Sequence, residues 1–293
     1  MLKFYQNYLE KEKRYSAHSV LAYVKDIEQI FELVELNPNA TSDLNELNKQ
    51  MLRNFIIQSS KNQLSAKSIN RKLSSGRSFY KFLMVQDIVK ENPFSLVKGP
   101  KISKRLPEFV QRHELHEEKT EALFSDDLFG LRDKLIFELL YQTGIRLTEL
   151  INIKESDVSS NGIRVLGKRN KERIIAISPS LYREILGIIE MKSHSDLRCE
   201  FLLFLDSGKK MYPKFVYRKI NFYLSQLTTI NKKSPHIMRH TFATQMLNEG
   251  IGIEVLKEIL GHANLSATQV YTHNSFEQIN SIYKSAHPRG HKT

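Results

Sequence analysis

Tryptophan is absent from this 293-residue chain, and there is a single cysteine, Cys199. One thiol excludes an internal disulfide framework and any cysteine-built metal cluster, and it fits a reducing cytoplasm. No apolar run approaches the roughly 18 residues that a membrane-crossing helix needs, so no membrane partner is expected. The opening stretch, MLKFYQNYLEKEKRYS, is too charged for the apolar centre of a secretory signal. The ten histidines show no ligand spacing with carboxylates. Neither a metal nor any other cofactor is therefore expected. Internal repeats and low-complexity tracts are also missing.

What the chain does have is positive charge. Lys and Arg total 44 against 32 Asp and Glu, a formal net charge of +12. Such an excess favours polyanionic partners, because each neutralised phosphate releases condensed counterions. The excess is also local. Residues 1–50 hold 6 basic and 8 acidic side chains, whereas residues 51–105 hold 12 basic and 2 acidic. A binding surface requires that kind of concentration.

The length exceeds what one core usually organises, so two domains are expected. In the first, Ser16 can cap a helix whose apolar residues recur at Val20, Val24, Ile27, Phe31 and Val34. A second helix spans about 66–86, with Ile69, Leu73, Gly76, Tyr80 and Leu83 on one side and Lys67, Arg71, Arg77 and Lys81 on the other. A charged stripe is most often a solvated face. This one is nearly all positive and lacks Glu–Lys pairing, so it is read as facing phosphates. Prolines 93, 100 and 107, with basic residues between them, then mark an extended linker. The expected division is 1–98 for an all-α N-terminal domain bearing the phosphate-facing stripe, 99–111 for the linker and 112–293 for a second domain.

That second part is expected to be mainly helical, with helices near 127–142, 146–154, 180–191, 213–227, 236–248 and 253–260, and stops at Gly250 and Gly261. The segment GIRVLGKRNKERIIAI (162–177) has two β-branched runs around a polar turn, the pattern of an antiparallel hairpin. A small antiparallel sheet therefore joins the helices.

Four segments carry residues with chemical potential: TGIRLTEL (143–150), GKRNKER (167–173), HIMRHTFATQML (236–247) and LGHANLSATQVYTH (260–273). Each has an ordinary reading taken alone. Arg146 in a helical segment is usually a surface residue, and Lys168 in a turn keeps the turn soluble. His236 and Arg239 share a helical face by spacing, as many pairs do. His262 can be a helix-end contact, and Tyr271 a half-buried tyrosine.

Their order and spacing together change that reading. An Arg, a hairpin Lys, His-x-x-Arg, a His 23 positions beyond that Arg and a Tyr nine positions further resemble the tyrosine recombinases, the phage-integrase-like family, and within it the Xer group. The likeness runs over nearly the whole chain. YSAHSVLAYVKDIEQI and SINRKLSSGRSFYKFL resemble the family's N-terminal DNA-clamping, SAM-like helices, and AHPRG resembles its chain ending. One departure is Arg169 in GKRN, where Xer-like enzymes often have glycine.

The resemblance implies Tyr271 as the nucleophile that forms a 3′-phosphotyrosine link, and Arg146, Arg239 and His262 as donors to the non-bridging oxygens. It implies Lys168 as the acid for the departing 5′-oxygen, with Lys171 and Arg173 as substitutes or backbone contacts. His236 would accept or orient the tyrosine proton. Glu149 matches a position where the family usually carries an acid, and is either a partner that orients the site or a surface glutamate. The implied partners are duplex DNA with paired half-sites and a homo- or hetero-tetramer assembled on it, with room for a second recombinase or a translocase. A tail helix with Phe276, Ile279 and Tyr283 would pack on its own domain or, as in relatives, on a neighbouring subunit. The implied task is site-specific recombination of the chromosome-dimer-resolving kind. Its rivals are an integrase of a mobile element, a type IB topoisomerase, and a DNA-binding architectural protein without catalysis.

Overall fold

The computed structural model describes residues 1–102, 108–167, 172–261 and 289. It divides into two compact units, Met1–Leu106 and Pro107–Thr293.

The first unit is all-helical. Helix α1 (Leu2–Asn7) runs into a π-turn at Tyr8–Glu12, and is followed by α2 (Ala17–Leu33), α3 (Thr41–Glu46), α4 (Lys49–Lys61) and α5 (Ala66–Val85). Ser16 caps α2 by accepting from the Ser19 N–H, and Ser65 does the same for α5 through Ser68, each satisfying a donor that a helix start leaves free. The apolar stripe of α5 is buried as its spacing predicts, from Ile69 through Leu73, Gly76 and Tyr80 to Leu83. Gly76 is required there. A β-carbon at that position would lie 2.3 Å from the Phe94 ring, which covers the helix. Ile30, outside the predicted stripe of α2, joins Ile27 and Phe31 in the core.

The basic face of α5 is less uniform than its spacing suggests. Lys67, Arg71 and Lys81 are exposed. Arg71 also pairs with Asp26, a carboxylate buried beneath it and shared with Lys72 and Ser75. Arg77 departs from the stripe: its guanidinium donates to the carbonyls of Phe94 and Val97 at 3.2 and 3.0 Å. That grip ties residues 93–97 back onto α5. Asn70 extends the tie by donating to the Pro100 carbonyl at 2.8 Å.

The second unit is mainly helical around a small sheet. Its attachments start early, since Val110 is buried and its N–H donates to the Thr241 hydroxyl at 2.9 Å. The helices are α6 (Glu117–Glu121), α7 (Leu128–Thr143), α8 (Leu147–Leu150), α9 (Pro179–Ser193), α10 (Pro213–Leu227), α11 (Pro235–Asn248) and α12 (Ile253–Ile259). The predicted helix over 146–154 is a single turn, α8. Beyond it the chain turns extended so that Ile153 can accept from the Leu202 N–H at 2.9 Å. Strands β1 (Val158–Ser159), β2 (Gly162–Leu166) and β3 (Glu172–Ile175) form an antiparallel sheet in that order. The β2–β3 register pairs Val165 with Arg173 and Leu166 with Glu172, the antiparallel pairing expected of a hairpin.

Helix α7 runs through the interior, and twelve of its residues are buried. Its buried charges are matched there. Arg132 is fully buried, held by Asp133, Asp206 and the Phe204 carbonyl. Glu138 forms an ion pair with Arg289, whose guanidinium also donates to the Thr120 hydroxyl at 2.9 Å. Unpaired, such charges would resist burial. Gly144 ends α7 in the left-handed conformation, φ 59°, and Gly250 and Gly261 follow α11 and α12 at φ 86° and 63°.

Candidate active site

Three elements of the second unit place the site. The first follows α7, where Gly144 turns the chain and Arg146 becomes the N-cap of α8. Glu149, one turn on, accepts from the Arg146 backbone N–H at 3.0 Å and from its guanidinium at 2.8 Å. The same carboxylate receives a second guanidinium from β3. Arg173 donates to both oxygens, at 2.7 and 2.9 Å. A forked, two-bond contact of this kind fixes direction as well as distance.

The second element is α11. Ser234 caps it, Pro235 occupies its first turn, and His236 and Arg239 fall on one face three residues apart. His236 is exposed and Arg239 is half-buried. The Arg239 guanidinium donates to the Gly144 carbonyl and, at 2.7 Å, to the Leu260 carbonyl. The third element is the end of α12, where the Gly261 carbonyl accepts from Arg146 at 2.5 Å. Arg239 is therefore held by main-chain oxygens at two reversals, one after α7 and one after α12, and Arg146 by a main-chain oxygen at the second of them. A β-carbon on Gly261 would lie 3.0 Å from the Arg173 guanidinium, so the third arginine packs against the same turn.

The electrostatics follow. Arg146, Arg173 and Arg239 bring three positive charges to a site where Glu149 supplies one negative charge, leaving an excess of two among these side chains. Burial alone would raise the Glu149 carboxyl, but hydrogen bonds and charge from Arg173, then Arg146, outweigh it and hold the group below its ordinary value. Burial lowers the Arg239 guanidinium to about 10, helped by repulsion from Arg146 and Arg173 and opposed by Glu149. At neutral pH it stays charged. The arrangement is a positively charged cradle with fixed donors, the kind of site that stabilises negative charge developing in a transition state.

The structure thus brings Arg146 and Arg239 together and sets His236 one turn before Arg239. Lys168, His262 and Tyr271 lie outside the described residues, as do Arg169, Lys171 and the tail residues Phe276, Ile279 and Tyr283. The sequence reading of Arg173 as a substitute acid or phosphate contact is corrected: it is buried, with both terminal nitrogens engaged by Glu149. Among the described residues no group of three His, Cys, Asp or Glu is placed to hold a metal ion, and no helix is long and apolar enough to cross a membrane.

The profile of the Phage integrase family matches residues 108–278, and that of the phage integrase N-terminal SAM-like domain matches residues 2–87. The chain is a tyrosine recombinase of the phage integrase family. It is 36% identical over 305 residues to tyrosine recombinase XerC of Bacillus pumilus, covering 100% of this chain and 97% of that one. The match to tyrosine recombinase XerC of Staphylococcus epidermidis is 37% over 291 residues, covering 97% and 96%. In fold, the recombinase resembles XerH site-specific recombinase bound to a palindromic difH substrate, with TM-score 0.71, 18% identity and 96% of this chain covered against 83% of that one. It also resembles a lambda integrase (75–356) dimer bound to a COC′ core site, with TM-score 0.68, 17% identity and coverage of 89% and 93%.

Proposed function

We propose that this recombinase cuts and rejoins duplex DNA at paired half-sites through a 3′-phosphotyrosine at Tyr271, in the housekeeping, XerC-like role of resolving chromosome dimers. The observation that carries the reading is the cradle. Two arginines, Arg146 and Arg239, are pinned by backbone carbonyls with a net positive charge around them, as a phosphodiester requires.

In this reading the Tyr271 hydroxyl attacks phosphorus while His236 takes or orients its proton. The negative charge that builds on the non-bridging oxygens is met by Arg146 and Arg239, with His262 donating beside them. Lys168 protonates the departing 5′-oxygen. The new tyrosyl phosphodiester conserves the energy of the broken bond, so a DNA hydroxyl can reverse the step on a partner strand without ATP. Lys67, Arg71 and Lys81 on the exposed side of α5 neutralise backbone phosphates, while base contacts and DNA deformation supply specificity. Four copies act together on two duplexes in the cytoplasm, either all of this chain or mixed with a second recombinase. Full-length likeness to curated XerC proteins supports this role over that of a mobile-element integrase.

The test is trapping. Nicked duplex fragments of the source genome let the short strand diffuse away after cleavage and strand the protein on DNA. Adducts with the wild type and none with Tyr271→Phe are expected, and sequencing of the trapped DNA should return one chromosomal site. Adducts that persist in the variant would refute Tyr271, and trapping at the ends of an integrated element would refute the XerC-like role.

A further inference from the structure

We infer that Arg173 is a positioning residue for the cleavage step, acting through Glu149 to keep Arg146 aimed at the scissile phosphate. The inference rests on the recombinase reading above and goes beyond it, because Arg173 is buried and, among the described residues, its guanidinium hydrogen-bonds to Glu149 and not to a phosphate donor.

The geometry makes the case. Glu149 lies within reach of two guanidiniums, and they divide its lone pairs. Arg173 takes both oxygens from the β3 side, while Arg146 takes one oxygen with its guanidinium and the other with its backbone N–H. A carboxylate bound by one arginine alone can swing about its terminal bonds. Bound from two directions, it cannot move without breaking contacts on both sides. Among the described residues, the remaining guanidinium contact of Arg146 is to the carbonyl of Gly261, the residue against which Arg173 also packs. Arg173 therefore braces both supports of Arg146. It also joins the sheet to the site, since β3 reaches Glu149 through this one side chain and pairs with β2 at Val165.

Charge points the same way. Glu149 is almost wholly buried, and a buried carboxyl without compensation drifts towards its neutral form. The charged groups around it are Arg146 at the start of α8, Arg173 on β3 and Arg239 on α11, with Asp157, Arg164 and Glu172 lining the cleft that it faces. Arg173 is the main cation keeping it ionised. Without that charge Glu149 would take up a proton nearer neutrality, and a protonated carboxyl holds Arg146 by a weaker, uncharged contact.

The measurement is the single-turnover cleavage rate of a nicked substrate carrying the trapped site, from pH 5.5 to 9, with DNA affinity measured beside it. Arg173→Gln should retain DNA affinity and cleave about 10- to 100-fold more slowly at pH 7. Its acid limb should lie about one pH unit or more above that of the wild type. Arg173→Lys, which keeps the charge and loses the fork, should be slower but keep the wild-type limb. In a Glu149→Gln background, Arg173→Lys should add no further loss, since its route of action is gone. Parallel pH curves for Arg173→Gln and wild type, or losses that simply multiply in the double variant, would overturn the inference. Should Arg173→Gln fail to bind DNA, the Arg173→Lys and Glu149→Gln cycle still decides. A wild-type protein that never cleaves would instead refute the recombinase reading.

Discussion

Arg146 and Glu149 are joined twice within a single turn: the carboxylate accepts both the backbone N–H and the guanidinium of the arginine three residues before it. The residue that caps the helix is thus also one that we propose meets the phosphate. Helix α8 and the cradle share one hydrogen-bonded ring.

Glu149→Gln tests that ring. The amide keeps the shape but loses the charge and one acceptor, leaving Arg146 and buried Arg173 uncompensated. Breaking a buried pair in this way costs about 3 kcal/mol. For a unit of this size that lowers Tm by roughly 6–12 °C. Calorimetry of the variant checks it, and an unchanged Tm would show that the pair is not a support.

Acid should remove the same support. Glu149 is held below its ordinary value of 4.5, so the folded state binds this proton less readily than the unfolded chain does. Its stabilisation is complete above that value and is lost as pH falls through the depressed one. In urea melts, the gap between wild type and Glu149→Gln should be constant above about pH 5 and narrow below about pH 4. A gap already narrowing at pH 7 would contradict the assignment.

Gly144→Ala should injure both fold and cleavage. The left-handed backbone, φ 59°, disfavours alanine, and its β-carbon would lie 2.5 Å from the Phe242 ring. We expect a loss of roughly 2 kcal/mol. The shifted carbonyl would no longer meet Arg239, so adduct formation should fall about tenfold while DNA affinity holds. Normal cleavage by a destabilised variant would separate the turn from the chemistry.

Arg77 and Lys81 should behave differently although the spacing of α5 assigns both to one basic stripe. Arg77→Ala removes the donors to the Phe94 and Val97 carbonyls and should lower stability by about 1–3 kcal/mol. Lys81→Ala should leave Tm unchanged and reduce the salt dependence of DNA binding by about one charge. Thermal melts and binding across a salt series distinguish them, and a reversal of the two effects would defeat this division of labour.

Much of this was legible in the sequence because the signals are local. The stripe of α5, the serine cap at 16 and the glycine stops at 250 and 261 each declare themselves within a few residues, as does the three-residue step from Arg146 to Glu149. What stayed hidden is what crosses between segments. Nothing near Arg173 shows that its guanidinium turns inward to a carboxylate 24 positions earlier, and nothing near Arg77 shows that a later turn needs its donors. The early end of α8 depends on Leu202, which no helical periodicity contains. The carbonyl acceptors at Gly144, Leu260 and Gly261 were invisible for a different reason. Every residue has a carbonyl, and only the fold says which ones point at an arginine.

That last feature bears on how the enzyme can change. An acceptor on the main chain survives any exchange of side chain that leaves the backbone torsions alone. Position 260 can therefore be exchanged among apolar side chains of similar size, which its buried place requires, without releasing Arg239, provided α12 keeps its end. Positions 144 and 261 have no such latitude, because their torsions set where the oxygens point. In a library selected for new target sites, diversity should accumulate at surfaces that meet DNA, while the aim of the two arginines is inherited through torsion angles. Specificity is then free to drift while the chemistry stays in place.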